Sequence, residues 1–143
     1  MTVEIRDVTD KQQWDAFVTS HPEANFLHSW QWGEFHIARG RTVVRRGAFM
    51  GDELVGVYTG HVEPARRGVH LEIVGGPIMD WSKKTIADTI FDDIKRTATS
   101  HACVYARVRP QLVDSEKHRA FFKAHGARKA PMYLSVELAG ILD

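Results

Sequence analysis

The sequence predicts an α+β layered domain, a mixed and mostly antiparallel sheet of about five to seven strands flanked by helices on both faces. Three observations predict it. Apolar residues recur with period two in some stretches and with helical period in others. Three period-two stretches follow one another with only turn residues between them, the pattern of an antiparallel meander. After them, helical and strand patterns alternate to the end of the chain.

Taken in order, "TVEIRDV" reads as a short strand. "TDKQQWDAFVTSH" reads as a helix, with Thr9 as N-cap and Trp14, Phe17 and Val18 on one face. Ser29 caps a second helix over Trp30 to Arg39, and Gly40 stops it. "RTVVRRGAFM" and "LVGVYTGHVE" are strands joined by a hairpin at Gly51-Asp52. "PARRG" turns into a third strand, "VHLEIVGG". The next stretch, "SKKTIADTIFDDIKRTATSH", carries Ile86, Ala87, Ile90, Phe91, Ile94 and Ala98 as one apolar stripe, so a helix from about Lys83 to Thr99 buries them. "ACVYARVRP" is a strand. "DSEKHRAFFKAHG" is a helix capped by Asp114 or Ser115 and ended by Gly126. "PMYLSVEL" closes as a strand with Met132, Leu134, Val136 and Leu138 on one face.

Composition bounds the function. The 143 residues suit one domain with a real core, 1–143, and 43% apolar with 26% charged residues is ordinary for a soluble globular chain. No apolar run is long enough to span a membrane, and the N-terminus has neither the basic nor the apolar region of a signal peptide. A lone Cys103 fits a reducing, cytoplasmic setting and reads as an inert buried thiol. The net charge of +1 gives no global field for nucleic acid, but arginines pair locally at 39/41, 45/46, 66/67 and 107/109.

The chemistry-bearing candidates are few. "FLHSWQWGEF" places two of the four tryptophans two residues apart. Trp30 and Trp32 on one helix point roughly 200° apart. One of them can therefore enter the core, while the other faces a cleft, a neighbour or solvent. Gly75-Gly76-Pro77 is a strand end needing unusual φ, or a place where a substrate backbone approaches. Neither His-x-x-x-His nor Cys-x-x-Cys occurs, and His118 and His125 stand two helical turns apart, so no metal is expected. "ARRGVH" has arginine and glycine at the wrong spacing for a pyrophosphate loop and opens a strand, which argues against acyl-CoA.

The element order is that of the GNAT-like (acyl-CoA N-acyltransferase-like) fold, and "FFKAHGARKA" resembles the helix-glycine turn before its last long strand. "NFLHSWQWGEFHIARGRTVVRRGAF", "LVGV" and "GGPIMD" resemble the N-terminal signature of the Fem family of peptidoglycan-bridge aminoacyltransferases. Members of that family typically read Phe-Leu-Gln-Ser-x-x-Trp-Gly-x-Phe at this point. They have two GNAT-like subdomains, and this chain resembles the first.

The resemblance implies transfer from aminoacyl-tRNA to an amine on the stem peptide of lipid II or its UDP-linked form, without metal or nucleotide cofactor. It also implies peripheral contact with the inner membrane face through a lipid-linked substrate. His36 matches a position where some relatives carry a lysine on the precursor's diphosphate. Asp80 matches an acidic residue near the acceptor amine, although "DWSKKT" also suits a helix cap. Arg66 and Arg67 are either phosphate ligands or a solvated turn. Trp32 or Trp30, His36, Asp80 and the Arg66-Arg67 turn are expected around one groove, with Gly76 near it. An imidazolium at His36 would then strengthen diphosphate binding as pH falls through ~6.5. The alternative is a stand-alone GNAT-like binding module without catalysis.

Overall fold

The computed structural model describes residues 2–129 and 136–138. The expected strand positions of Met132 and Leu134 lie outside them. The elements are β1 (Val3–Asp7), α1 (Lys11–Thr19), a 3-10 turn (Phe26–His28), α2 (Trp30–Ala38), β2 (Val43–Met50), β3 (Glu53–Glu63), β4 (His70–Val74), β5 (Ile78–Met79), α3 (Lys84–Ser100), β6 (Tyr105–Arg109), α4 (Glu116–Ala124), β7 (Ala127–Lys129) and β8 (Val136–Leu138). Among the described residues the sheet has eight strands in the order β1-β2-β3-β4-β6-β8-β7, with β5 on β3. β4 and β6 pair in parallel, and every other pairing is antiparallel. The α+β layered fold is therefore as the sequence predicts.

Helices cover both faces. On one, α3 sets Ile86, Ile90, Phe91, Ile94 and Ala98 against Leu71, Ile73, Ala106 and Val108. Each large side chain buried this way contributes about 1.5–3 kcal/mol. α3 comes close at Ile90 because β3 has a glycine there: a Cβ on Gly56 would meet Ile90 Cδ1 at 2.6 Å. On the other face, Trp14 and Val18 of α1 pack with Val8, Phe49, Val57 and Ile78, with Trp30 partly buried beside them.

Several boundaries differ from the sequence reading. Asp10, rather than Thr9, caps α1, because its carboxylate accepts from the Gln12 and Gln13 amides at 2.9 and 3.2 Å. Ser115 caps α4 through the His118 amide. The strand expected from Ala102 starts at Tyr105, since Ala102 has φ +57° and the Cys103 amide returns to Ala98 O, closing α3. β5 was too short to show any period.

β5 marks the main irregularity. β3 pairs with β4 through His61–Glu63 and with β5 through Gly56 and Val57, leaving Thr59 in the gap. The imidazole of His28 fills that gap. Its Nδ1–H donates to Val74 O at 2.8 Å, and its Nε2 accepts from the Thr59 amide at 3.0 Å. The backbone of the same residue is held by Trp14, whose indole N–H donates to His28 O at 2.8 Å. Next door, the Asn25 amide donates to Gly75 O at 2.8 Å. Gly75 has φ +80°, and a Cβ on Gly76 would collide with the His28 ring.

Burial pushes the His28 pKa down to about 4. Unfolded, the ring titrates near 6.5, so the unfolded chain binds more protons between these values. The stabilisation is complete above pH 6.5 and is lost as pH falls toward 4, about 3 kcal/mol in all. Urea unfolding at pH 7.5, 6 and 5 should show this loss, and His28→Ala should make the dependence shallower, leaving the part that the buried His61 contributes, while lowering stability at pH 7.5. Gly76→Ala should destabilise by roughly 2–3 kcal/mol through overpacking against His28. Unchanged melting of Gly76→Ala would show that no packing constraint holds this glycine.

Candidate functional site

Period two decides what stands beside α1 and α2. On β3, β4 and β6 the residues turned away from α3 are His61, Glu63, His70, Glu72, Tyr105, Arg107 and Arg109. His61, His70, Glu72 and Tyr105 are buried. His70 Nε2 meets Glu72 Oε2 at 2.7 Å, and Arg109 reaches Glu72 at 3.3 Å. The His70 ring stacks on Tyr105 with centroids 4.7 Å apart, and the Arg67 guanidinium lies 5.0 Å above the same phenol ring.

α2 closes one side. His36 stacks on His61 at 3.7 Å between centroids. Glu63 receives Arg41 through two bonds of 3.0 Å and Arg39 at 3.2 Å, and His61 Nε2 lies 3.2 Å from it. Hydrogen bonding to Arg41 holds Glu63 below the usual carboxylate range. Burial pushes His61 down to about 4 and lowers His36 as well, with Arg39 adding repulsion at His36. The imidazole pair is therefore neutral at physiological pH. The local charge comes from Arg39, Arg41, Arg67, Arg107 and Arg109 against Glu63 and Glu72, a net cationic face in a nearly neutral protein.

An aromatic ledge borders this face. Trp32 stacks on Phe35 at 4.8 Å and meets the edge of Phe26 at 5.4 Å. Phe26 and Phe35 are 67% and 50% exposed, a high exposure for such rings. The crevice between Trp32, His36, His61 and Glu72 holds only about 10 Å³, so a ligand would lie over it rather than inside it.

The predicted residues are only partly brought together. Trp32 and His36 share the crevice, and Arg67 stands at the same end of the sheet. Arg66 is exposed in the turn beside it. Trp30 points to the other side of α2, packed on Trp14 and covered by the Arg45 guanidinium at 3.6 Å. Gly76 lies under His28, so its lack of a side chain has a packing cause. Asp80 follows Met79, which pairs with Gly56, while His61 lies five residues further along β3. At about 3.3 Å per residue that is roughly 17 Å, so Asp80 and His36 occupy opposite ends of the sheet. Asp80 Oδ1 accepts from the Ser82 amide and hydroxyl at 3.0 and 2.6 Å, which keeps it ionised and does build the turn before α3.

The imidazolium expected at His36 is corrected by its burial: its pKa is lowered and His61 covers the ring. Residues not singled out in the sequence were His28, His61, His70 and Glu72. A signal for three of them existed, because "HVE" at 61–63 and "HLE" at 70–72 put His and Glu on one strand face twice, in adjacent strands. His28 had no such signal, since nothing local shows that a gap in β3 awaits it. Among the described residues, no three His, Cys, Asp or Glu side chains are arranged to hold a metal ion, and no helix is long and apolar enough to cross a membrane.

Comparison with known proteins adds to this geometry. The model of the FemAB family matches residues 9–133. The structure of FemX superposes with a TM-score of 0.78 and 25% identity, over 88% of this chain and 32% of FemX. The chain thus spans about a third of that protein. The PaiA N-acetyltransferase of Thermoplasma acidophilum, solved in complex with coenzyme A, superposes at 0.66 with 14% identity, covering 96% of this chain and 98% of that one. An acetyltransferase of Trypanosoma brucei gives 0.64 and 18%, covering 92% and 96%. These two show the GNAT fold alone. No curated protein sequence matches.

The site separates two tests of the tryptophans. Trp32→Ala should lower the urea midpoint only modestly, because the half-buried ring packs on the exposed rings of Phe26 and Phe35. Trp30→Ala should lower stability by roughly 2–4 kcal/mol, because it removes a ring packed on Trp14 and strands the Arg45 guanidinium. Equal losses in the two variants would contradict this division.

Proposed function

The chain belongs to the FemAB family, and on that premise we propose that it is the precursor-binding unit of a tRNA-dependent aminoacyltransferase that extends the stem peptide of a peptidoglycan precursor. The observation that carries this reading is the cationic face beside an aromatic ledge at one end of the sheet, with an ionised carboxylate roughly 17 Å away at the other. A diphosphate is recognised by guanidinium groups, here those of Arg67, Arg39 and Arg41, with Trp32 offering a ring face to the adjoining nucleoside or sugar. A peptide covers about 3.3–3.6 Å per extended residue. A ligand with a diphosphate at one end and a stem peptide at the other therefore reaches Asp80.

At Asp80 the acceptor amine donates a hydrogen bond to the carboxylate oxygen that Ser82 leaves unused. The low pKa makes this carboxylate a holder of the amine more than a strong base. In the transfer, the amine nitrogen forms the new amide bond to the aminoacyl carbonyl, the ester C–O bond breaks, and the tRNA ribose oxygen leaves with a proton. The aminoacyl-tRNA would be held by a second subdomain. Lipid-linked precursor would bring the protein to the cytoplasmic membrane face.

Titration calorimetry with the UDP-linked muropeptide tests the reading. Arg67→Glu should weaken binding about tenfold and reduce its salt dependence. Trp32→Ala should weaken it several-fold, and Asp80→Asn should weaken it more modestly, because it loses only the charge on the amine contact. Between pH 8 and 7 affinity should stay flat, because burial holds the His36 pKa below its ordinary value. The isolated chain, given charged tRNA and precursor, should produce no mass increase in the stem peptide. Lack of binding at millimolar precursor, or affinity indifferent to both Arg67 and Trp32, would remove this reading.

A further inference from the structure

A second cavity lies away from that face. It holds about 690 Å³ on the other side of α2, bounded by Trp30 and Arg45 above the sheet and by Arg96, Ser100 and His101 of the α3 end below it. Between these walls runs the edge of β2. Pairing of β1 with β2 ends at Asp7–Arg46, and the Val8 amide makes the last bond, to Arg45 O. The Val62 amide donates to Thr42 O, so the pairing toward β3 uses even-numbered residues here. The N–H and C=O of Val43 therefore point to the side that β1 has vacated, and among the described residues nothing bonds them there.

The charges around this edge differ in how far they are used. Arg46 is occupied by Asp93 through bonds of 3.0 and 2.9 Å and by Asp7 at 2.8 Å. Asp93 also receives the Tyr58 hydroxyl at 2.6 Å, so this trio is structural. Among the described residues, Arg45 bonds to Trp30 O at 3.0 Å and its buried Nε has no partner. Gly33 leaves room for it, since a Cβ there would come within 2.6 Å of the guanidinium. Arg96 is 71% exposed and, among the described residues, approaches Asp93 at 3.9 Å.

A strand laid along this edge would alternate its side chains between the Arg45 wall and the Arg96 wall. Asp15 and Glu34 stand near Arg45 and temper its field, so the slot suits single carboxylates rather than a polyphosphate. We propose that this cleft is a second binding site, which takes an extended acidic peptide segment of a partner protein by strand addition to β2. Main-chain bonds to Val43 would give affinity, and carboxylates at Arg45 and Arg96 would give selectivity. The site is separate from the precursor face and stands or falls independently of it.

A displayed library of random heptapeptides, selected on the immobilised chain, supplies the probe. Enriched peptides should carry Asp or Glu at two positions an odd number of residues apart, so that one carboxylate faces Arg45 and the other Arg96. Val43→Pro removes only the edge N–H, which the β2–β3 pairing does not use, and should weaken the selected peptides about tenfold. Arg96→Glu, at an exposed position, should weaken them several-fold without affecting the fold. Amide NMR shifts should centre on Val43, Arg45 and the end of α3, and affinity for the UDP-linked muropeptide should be unchanged in both variants. If Val43→Pro does not fold, Arg96→Glu and the NMR map decide. No enrichment, enriched peptides indifferent to Arg96→Glu, or shifts centred on Trp32 and His61 would overturn the proposal.

Discussion

One neutral imidazole holds the architecture together. β3 changes partner from β4 to β5 in mid-strand, and any such change strands backbone groups that water cannot reach. His28 satisfies one donor and one acceptor at once, in the single tautomer that has its proton on Nδ1. A charged ring has two donors and no acceptor, so it would lose the Thr59 bond. The cost of leaving a buried amide unpaired is about 1–3 kcal/mol, which makes this ring a condition of the sheet's shape. The bend it supports lets β4 continue beside β6 while β5 turns back on β3, and so separates the end carrying Arg67 from the end carrying Asp80.

Much of this was legible in the sequence. The α3 stripe is strongly periodic and buries the residues its pattern marks, since a long amphipathic helix has one way to lie on a sheet. The meander was visible because its turns carry Gly51 and Gly68 at positive φ. What stayed hidden was non-local. The two stretches that carry the family resemblance, around residues 25–40 and 75–80, turn out to be the two sides of one joint, with Asn25 on Gly75 and His28 against Gly76. A linear pattern shows both sides and not that they touch. The site was half legible for the same reason. Period two places His61, Glu63, His70 and Glu72 on strand faces, but only the register of β3 with β4 sets His61 opposite Glu72.

The arginine pairs illustrate how burial sorts identical residues. Arg45 and Arg46 are adjacent on β2 and therefore face opposite ways. One lies over an indole, and the other is locked into a carboxylate network beneath Tyr58. Arg107 and Arg109, two residues apart, share a face and add to the same field as Arg39 and Arg41. Charge clusters in sequence are thus poor guides to charge clusters in space unless the strand period is applied first.

The separation of the four tryptophans has an optical consequence. Trp14 is wholly buried and stacked near the His28 ring, Trp30 lies beneath a guanidinium, Trp32 borders solvent on the ledge, and Trp81 sits among Phe91, Phe121 and Phe122. Each indole therefore samples a different polarity and a different quencher. The emission of this chain is a composite of four sites, in which Trp14 reports the sheet joint, Trp81 the packing of α4, and Trp32 whatever comes to rest on the cationic face.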